Sequence, residues 1–343
     1  MSAVDTEFEH KVRRGALAHT RAYQGGQLTA SDFAVDDIPG HLGDPDAVVW
    51  LDLCDPSAEE LARIAARLGL HELAVEDALQ EHQRPKFDRY TTHEFINLYS
   101  ASLDARTGRL HTSELAAFIT DKVLVTVRKD DRFDMKAVTH RWDTAGDLPG
   151  PQLAVLVHGL LDVVVDGHYQ AVQDLDERIE VLEDAVFDEQ GAQQAQQGDI
   201  QRLSFQLRKS LVNLRRTIAP MRDLLGALMH RDQRISGSEL LPYFEDVHDQ
   251  VLRATEWADS LRDLVTTILD TRLAVQSNRL NIISKKVTGW AAIIAVPTAI
   301  TGFYGQNVPY PGFSAVSGVI TSGALIVLAS LVLYVIFRRK DWI

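Results

Sequence analysis

Residues 287–337 read VTGWAAIIAVPTAITGFYGQNVPYPGFSAVSGVITSGALIVLASLVLYVIF, and this stretch decides the architecture of the chain. Its 51 residues lie between Lys286 and Arg338 and include no Asp, Glu, Lys or Arg. One membrane span needs about 20 apolar residues, so the stretch is too long for one span and fits two joined by a tight loop. We place the spans at about residues 287–306 and 316–337. A pair of buried helices in a soluble protein is the alternative.

The charged residues that flank this stretch predict its orientation. Lys285 and Lys286 precede the first span, and Arg338, Arg339 and Lys340 follow the second. Lys and Arg accumulate on the cytoplasmic side of a membrane, so both ends are expected there. The opening residues, MSAVDTEFEHKVRRG, have no apolar core of the kind found in a signal peptide. We therefore expect a protein of the plasma (inner) membrane with two spans and cytoplasmic N- and C-termini.

The composition of the 343-residue chain argues against several functions. Its formal net charge is −13, whereas binding to nucleic acid usually requires a basic face. The single cysteine, Cys54, allows neither an intrachain disulfide nor a thiolate zinc site. No Gly-rich phosphate loop, nucleophile–base pair or metalloprotease motif indicates an enzyme. An acidic balance suits a protein that attracts cations, although it is also common among ordinary cytosolic proteins.

Ahead of the uncharged stretch, the sequence pattern changes near residue 151. Residues 1–150 predict a cytoplasmic α/β domain, because short runs rich in β-branched and aromatic residues alternate with helical patterns. The predicted strands are Ala47–Leu53, Phe95–Leu103, Leu115–Thr120 and Val123–Val127. Predicted helices follow the cap Ser57 and cover Glu72–Gln80.

Residues 151–286 predict a long helical hairpin and a stalk helix. The hairpin comprises helices at about 152–190 and 200–230 around a turn at 190–199, and the stalk helix starts near Pro242. This helix carries apolar or small residues at alternating steps of four and three, a spacing that suits helix packing. These residues are Val247, Val251, Ala254, Ala258, Leu261, Val265 and Ile268. Residues 287–343 complete the chain as a two-helix transmembrane domain with a short cytoplasmic tail.

A second set of residues on the same helix is small or polar throughout. This stripe comprises Asp270, Ala274, Ser277, Asn281, Ser284, Thr288, Ala291, Ala295, Thr298, Gly302 and Gly305. In lipid, such a face must meet a neighbouring helix or water. Close helix packing explains it, but an acid at its inner end and Asn307 beyond its outer end favour a cation path. Two helices cannot enclose a pore, so an ion path requires several copies around one axis.

Several segments resemble the CorA family of magnesium transporters. Residues 304–307, Tyr-Gly-Gln-Asn, resemble the Tyr-Gly-Met-Asn motif of that family. Further matching segments are SNRLN at 277–281, FRRKDW at 337–342, EDAL at 76–79, HQRPK at 82–86 and PYFEDV at 242–247. Together the segments cover most of the chain from about residue 45, in the order and topology of the family.

The resemblance implies a funnel-shaped homo-oligomer, a homopentamer, in which five first spans surround a pore through the lipid membrane. It implies passive Mg²⁺ influx, with Co²⁺ or Ni²⁺ as possible passengers, and an ion-selectivity site at Gly305, Gln306 and Asn307. It also implies that cytoplasmic Mg²⁺ bridges Asp77 and Asp246 across a subunit boundary and regulates the channel. The expected pore-lining residues are Asp270, Ser277, Asn281, Ser284, Val287, Thr288, Ala291, Ala295 and Thr298.

Three departures from the family pattern leave the identity of the ion open. Gln306 replaces the usual Met, and Val308 replaces the common aromatic residue ahead of a loop, 308–315, without an acid. Ser284 and Val287 stand where the family often has bulkier apolar gate residues. The Asn307–Val308 pair is similar to the zinc-transporting branch of the superfamily. Zn²⁺ transport, with or without proton coupling, and a non-conducting membrane-anchored sensor therefore stay as alternatives.

Overall fold

The computed structural model describes residues 17–104, 106–144, 148–187, 197–306, 309–313 and 315–343. The chain divides into two compact units, the first ending at Thr266 and the second running from Thr267 to Ile343. The predicted boundaries at residues 150 and 286 separate the α/β part, the long helices and the two spans. This three-part division stays a prediction.

The first unit contains a seven-stranded mixed sheet with the strand order β2-β1-β3-β7-β6-β5-β4. Neighbouring strands are antiparallel except β3 and β7, which run parallel. The strands are β1 Leu17–Gln24, β2 Gln27–Ser31, β3 Ala47–Cys54, β4 Lys86–Arg89, β5 Glu94–Leu103, β6 Leu110–Ile119 and β7 Val123–Arg128. The structure confirms the four predicted strands, and β6 begins five residues earlier than predicted.

The helices, in chain order, account for most of the remaining described residues. They are α1 Ile38–His41, α2 Ala58–Leu68, α3 Glu72–Leu79, α4 Met135–Thr144, α5 Gln152–Phe187, α6 Gln197–Arg231, α7 Leu241–Tyr304 and α8 Val316–Arg339. The predicted turn at 190–199 lies mostly outside the described residues, and α6 already begins at Gln197. Ser57 caps α2 as expected, because its Oγ accepts from the Glu60 N–H at 3.2 Å while the Glu60 carboxylate accepts from the Ser57 N–H.

The two faces of the sheet are covered differently. On one face, alternate residues of β3, such as Leu51 and Leu53, share a core with Leu61 of α2 and Ala74 of α3. On the other face, Trp50 meets Trp142 of α4 edge to face at 4.9 Å. The Trp142 indole donates to the carbonyl of Leu156 in α5 at 2.9 Å, which ties the long helices to the sheet.

A buried polar network lies on the face of Trp50. The Trp50 indole donates to Thr126 Oγ1 at 2.9 Å, and Thr126 Oγ1 donates to Asp52 at 2.7 Å. Asp52 also receives the Arg128 Nε–H at 3.1 Å, so the two side chains form a buried ion pair. Removing one partner of such a pair is far more costly than the pair itself is stabilising, since a buried charge is left alone.

The packing stripe of the stalk helix is confirmed. All seven residues from Val247 to Ile268 that the spacing singled out are buried. Side chains beside this stripe join α7 to its neighbours: Tyr169 of α5 contacts Trp257 at 5.3 Å between ring centroids, and Arg215 of α6 binds Asp259 at 2.7 Å. The part of α7 that precedes the first span is therefore held by side chains of both α5 and α6.

We predict that a single buried histidine makes the first unit sensitive to acid. His168 of α5 is fully buried, and its Nε2 lies 2.7 Å from the carbonyl oxygen of Tyr99 in β5. Burial lowers its pKa from 6.5 to about 4, so the native state excludes the protonated form. Stability should be complete above pH 6.5 and fall by up to about 3 kcal/mol as the pH drops toward 4.

His168→Gln should reduce this acid-dependent loss, because glutamine can still donate to Tyr99 but does not titrate. The measurement is thermal unfolding of the full chain in detergent between pH 7 and pH 4. The exposed His140→Gln variant is the control and should keep the wild-type slope. An unchanged slope in His168→Gln would place the acid sensitivity elsewhere.

Candidate ion pathway and regulatory residues

The first span lies within α7, and one of its faces is covered by other residues of the second unit. Gly289 is buried, and a Cβ added there would lie 3.1 Å from Ile343 Cγ1 and 3.8 Å from Phe337 Cδ2. The second span and the C-terminal tail therefore meet the first span on this face. Its members recur at helical spacing and are Gly289, Ala292, Ile293, Val296, Pro297 and Ile300.

The small and polar stripe lies on the opposite side of the helix. At about 100° per residue, the mean direction of its members within the span, from Thr288 to Gly305, is roughly 160° from that of the covered face. Val287 borders the stripe, and the apolar Trp290 and Ile294 flank it. Each predicted pore-lining residue is exposed in the single chain: Asp270, Ser277, Asn281, Ser284, Val287, Thr288, Ala291, Ala295 and Thr298. The stripe is thus left without a partner from this chain's own second span.

Hydroxyl groups near the C-terminal end of the first span are bonded to their own helix. Thr298 Oγ1 donates to the Ile294 carbonyl at 2.9 Å, and Thr301 Oγ1 donates to the Thr298 carbonyl at 3.0 Å. Since each hydroxyl uses its proton on the backbone, its oxygen lone pairs stay available as acceptors. Thr298 can therefore present oxygen rather than a proton, which is the polarity that a hydrated cation needs.

The helix ends where the predicted selectivity site begins. Gly305 N donates to the Thr301 carbonyl at 2.9 Å, and a Cβ at position 305 would crowd that oxygen at 3.1 Å. Gln306 is exposed and its N–H reaches the Phe303 carbonyl at 3.3 Å. Asn307, the residue expected to contact the ion, lies outside the described residues. Its role stays a prediction from sequence.

Sequence analysis missed an aromatic cluster that flanks the predicted selectivity residues. Tyr310 contacts Tyr304 at 4.9 Å and Phe313 at 5.3 Å between ring centroids. The Tyr310 hydroxyl donates to the Tyr304 carbonyl at 3.1 Å. This bond joins the two residues on either side of segment 305–309. The spacing of aromatic residues alone could not have revealed it.

Tight packing of glycine follows this cluster. Gly312 adopts φ +93°, a conformation that favours glycine, and its carbonyl oxygen would collide with a Cβ placed at Gly318. Gly318 lies in the first turn of α8. The loop therefore returns against the start of the second span at a distance that side chains at these positions would prevent.

Asp77, one of the two predicted regulatory residues, lies on α3 and is already paired. Lys86 Nζ lies 2.6 Å from Asp77 Oδ2 and 2.8 Å from Asp88 Oδ2. Burial lowers the pKa of Lys86, while its hydrogen bonds to the two carboxylates raise it, and the net shift is upward. Lys86 is therefore a fixed cation that a metal ion at Asp77 would have to compete with.

Asp246, the other predicted regulatory residue, is exposed near the start of α7 and accepts from Gln250 Nε2 at 3.1 Å. Beside it the structure places charged residues that sequence analysis did not single out. Burial raises the pKa of Asp162, Arg141 opposes the rise, and Asp166 and Asp246 add to it. Arg141 binds Asp162 and also Asp166, the latter at 2.7 Å.

The single chain does not bring Asp77 and Asp246 into one cluster of metal ligands. Across the described ranges, no group of three or more His, Cys, Asp or Glu side chains could hold a metal ion. A bridge between two copies, as the resemblance implies, needs one carboxylate from each and would not form such a group. Two described helices, α7 and α8, are long and apolar enough to cross a membrane.

Comparison with known proteins supplies the family. The model of the CorA-like Mg²⁺ transporter family matches residues 45–339. This chain belongs to that family. A CorA member from Thermotoga maritima, a cobalt/magnesium transport protein, is 28% identical to it, and the alignment covers 91% of this chain and 89% of the relative. Members of the family are transporters or channels rather than enzymes.

Two further similarities bear on the fold and on the ion. The complete CorA magnesium transporter of Methanocaldococcus jannaschii superposes with a TM-score of 0.78 at 22% identity, covering 96% of this chain and all of that one. The likeness confirms the predicted fold, an α/β domain followed by long helices and two apolar C-terminal helices. The zinc transport protein ZntB of Pectobacterium carotovorum is 25% identical over 88% of this chain and 91% of its own.

We predict that the Tyr310 hydroxyl positions the outer loop of this CorA family member. In Tyr310→Phe the bond to the Tyr304 carbonyl is lost while the ring contacts remain. A hydrogen bond of this kind contributes about 0.5–1.5 kcal/mol, so the Mg²⁺ concentration for half-maximal flux should rise about two- to tenfold. The measurement is Mg²⁺ uptake into liposomes that contain the full chain.

Tyr334→Phe is the matched control, since its hydroxyl lies in the second span near Arg338 and far along α8 from the loop. That variant should keep the wild-type concentration dependence. Equal behaviour of the Tyr310→Phe and Tyr334→Phe variants would contradict the positioning role of Tyr310.

Proposed function

We propose that several copies of this chain, most simply five, form a divalent-cation channel that admits Mg²⁺ across the plasma membrane. The observation that carries the proposal is the position of the small and polar stripe, directly opposite the face that meets the second span. If second spans lie outside and first spans inside a ring, this geometry turns every stripe toward the axis. The N- and C-termini then lie in the cytoplasm, as the basic flanks predict.

The chemistry of the stripe favours a hydrated hard cation. Its polar members, Ser277, Asn281, Ser284, Thr288 and Thr298, offer oxygen, and none of the stripe residues is His or Cys. Mg²⁺ prefers oxygen ligands and gives up its water reluctantly, whereas Zn²⁺ is typically held by nitrogen and sulfur. In the proposed channel, Gly305, Gln306 and Asn307 bind the hydration shell at the outer mouth. The rings of stripe oxygen then continue the path inward.

Zn²⁺ is the second candidate ion because of specific features at the mouth. Loop 308–315 has no acid to concentrate Mg²⁺, Asn307 is followed by Val308, and ZntB-type zinc transport proteins are among the relatives. Co²⁺ and Ni²⁺ would share either path. Uptake of Mg²⁺ and Zn²⁺ into liposomes, each with and without a pH gradient, separates a magnesium channel from a proton-coupled zinc transporter. A chain that moves neither ion would be the membrane-anchored sensor.

Cysteine substitution tests whether the stripe lines the path. In a Cys54→Ser background, a membrane-impermeant cationic thiol reagent should abolish most of the Mg²⁺ flux through Thr298→Cys. Thr301→Cys is the matched control, since it is also a threonine of the same half of the span but lies about 60° from Thr298 and about 90° from the mean direction of the stripe. Block of both variants, or of neither, would contradict the proposed orientation.

Asn307→Ala tests the selectivity residue itself. Losing the ring of amide oxygens should remove discrimination between Mg²⁺ and other ions, because the hydration shell is no longer held in a fixed geometry. Competition between Mg²⁺ and Zn²⁺ in the same liposome assay measures this. Wild-type discrimination between Mg²⁺ and Zn²⁺ in Asn307→Ala would refute the assignment.

We further propose that cytoplasmic Mg²⁺ closes the channel by bridging Asp77 of one copy and Asp246 of the next. With the ion present, the two carboxylates are held together, and without it they repel and the ring loosens. Lys86 makes this site weaker than two free acids would be, since its ammonium already occupies Asp77.

Lys86→Met should therefore strengthen regulation. Partly exposed ion pairs contribute about 0.2–1 kcal/mol, so the Mg²⁺ concentration that protects the full chain from proteolysis should fall by a factor of about 1.4 to 5. The double variant Asp77→Ala/Asp246→Ala is the control and should lose the protection. If that double variant were protected as well as the wild type, the regulatory site would be wrong.

A further inference from the structure

Helices α5 and α6 carry opposite charges that the chain does not pair with each other. Between residues 200 and 231, α6 has seven Lys or Arg and one acid, Asp223, whereas residues 174–184 of α5 have six acids and one base, Arg178. Within the described part of the chain, none of these six acids forms an ion pair. Two such helices in one hairpin leave a basic surface and an acidic surface open to the outside.

The basic surface is a defined face of α6. Arg202, Lys209 and Arg216 recur every seven residues and so point the same way, and all three are exposed without an ion-pair partner in the described ranges. Phe205, 71% exposed, lies between the first two. A groove of about 440 Å³ runs beside them, where Arg109 adds a further cation. We call Arg202, Phe205, Lys209 and Arg216 the basic face.

The acidic surface of α5 has the same construction with the opposite sign. Glu177, Glu180 and Asp184 are exposed at spacings of three and four, and Val181 among them is 63% exposed. We call these four residues the acidic face. At 1.5 Å per residue, the basic face is about 21 Å long and the acidic face about 10 Å. Each face surrounds one exposed apolar side chain with charges that the other face would neutralise.

We propose that the basic face of one copy docks on the acidic face of the next copy, and this inference rests on the proposed ring of subunits. A closed ring needs a contact between two different surfaces of the same chain, because isologous contacts end at a dimer. Complementary charges set the register of that contact, and Phe205 and Val181 provide the apolar centre that isolated surface ion pairs lack. An anionic lipid surface would suit the basic face but would leave the acidic face without a role.

Cross-linking in the full chain tests the contact directly. In a Cys54→Ser background, differently tagged copies that carry Lys209→Cys and Glu180→Cys are co-expressed and treated in liposomes with a short bismaleimide. Covalent dimers containing both tags are expected, and neither variant alone should give them. Arg208→Cys with Glu180→Cys is the matched control, since residue 208 neighbours Lys209 but points about 100° away from the basic face.

Charge reversal provides a readout that misfolding could not imitate. Arg202→Glu/Lys209→Glu/Arg216→Glu should lower the fraction of oligomer that survives raised salt, and Glu177→Lys/Glu180→Lys/Asp184→Lys should do the same. Combining both reversals in one chain should restore it. The proposal would be overturned if the combined reversal left as little oligomer at raised salt as either reversal alone. Cross-linking through Arg208→Cys as efficient as through Lys209→Cys would also overturn it. An effect confined to vesicles with anionic lipid would assign the basic face to the membrane instead.

Failure of this contact can be distinguished experimentally from failure of the proposed channel. Mg²⁺ flux and a stable oligomer without the Lys209–Glu180 cross-link would remove this contact and leave the channel standing. Loss of both the oligomer and the flux in the unmodified chain would remove the proposed function as well.

Discussion

Hydrocarbon offers no hydrogen bonds, and this constraint governs the C-terminal half of the chain. A membrane helix satisfies its own backbone hydrogen bonds, but a face made of polar side chains such as Thr288 and small ones such as Ala291 gains little from contact with lipid. The second span could have covered that face, yet it meets the first span on the other side, at Gly289. The small and polar stripe must therefore contact another copy of the chain, water, or both. An ion path is the arrangement that uses both at once.

The first unit faces a different constraint, because its core contains buried polar and ionisable side chains. Each of these needs a partner or must stay uncharged. Asp52 and Arg128 lie on the parallel pair of strands and are tolerated because they bind each other, while Thr126, itself bonded by Trp50, donates a further hydrogen bond to Asp52. His168 is tolerated by staying neutral. The His168–Tyr99 contact joins α5 to the sheet, and the apolar stripe of α7 packs beside α5.

Local and periodic signals explain which features the sequence could predict. The cap at Ser57, the buried strands such as Val123–Arg128, the packing stripe from Val247 and the uncharged stretch each depend on residues close in sequence. Strand β2 was missed because it lies at the sheet edge and is mostly exposed, so it has no apolar period to detect.

Features that depend on distant pairing were beyond the reach of sequence analysis. Asp77 was singled out by resemblance, but its bond to Lys86 required the return of β4 beside α3. The Arg141–Asp162 pair near Asp246 joins two helices, and no spacing marks it. Tyr310 reaches back to Tyr304 only because the loop turns. In each case the residue types were visible, and the missing information was the fold itself.

The helix α7 contains both Asp246 and the stripe, and this continuity limits how regulation can work. A regulatory ion can shift the channel only if the two states bind it differently. The residues Val247 to Val265 hold the part of α7 that precedes the first span against side chains of α5 and α6, so this part cannot bend independently of its neighbours. A change at Asp246 must therefore move the helices of a copy together. In the proposed ring, contacts between copies would then be the element with two stable arrangements, and the acidic and basic faces would act there.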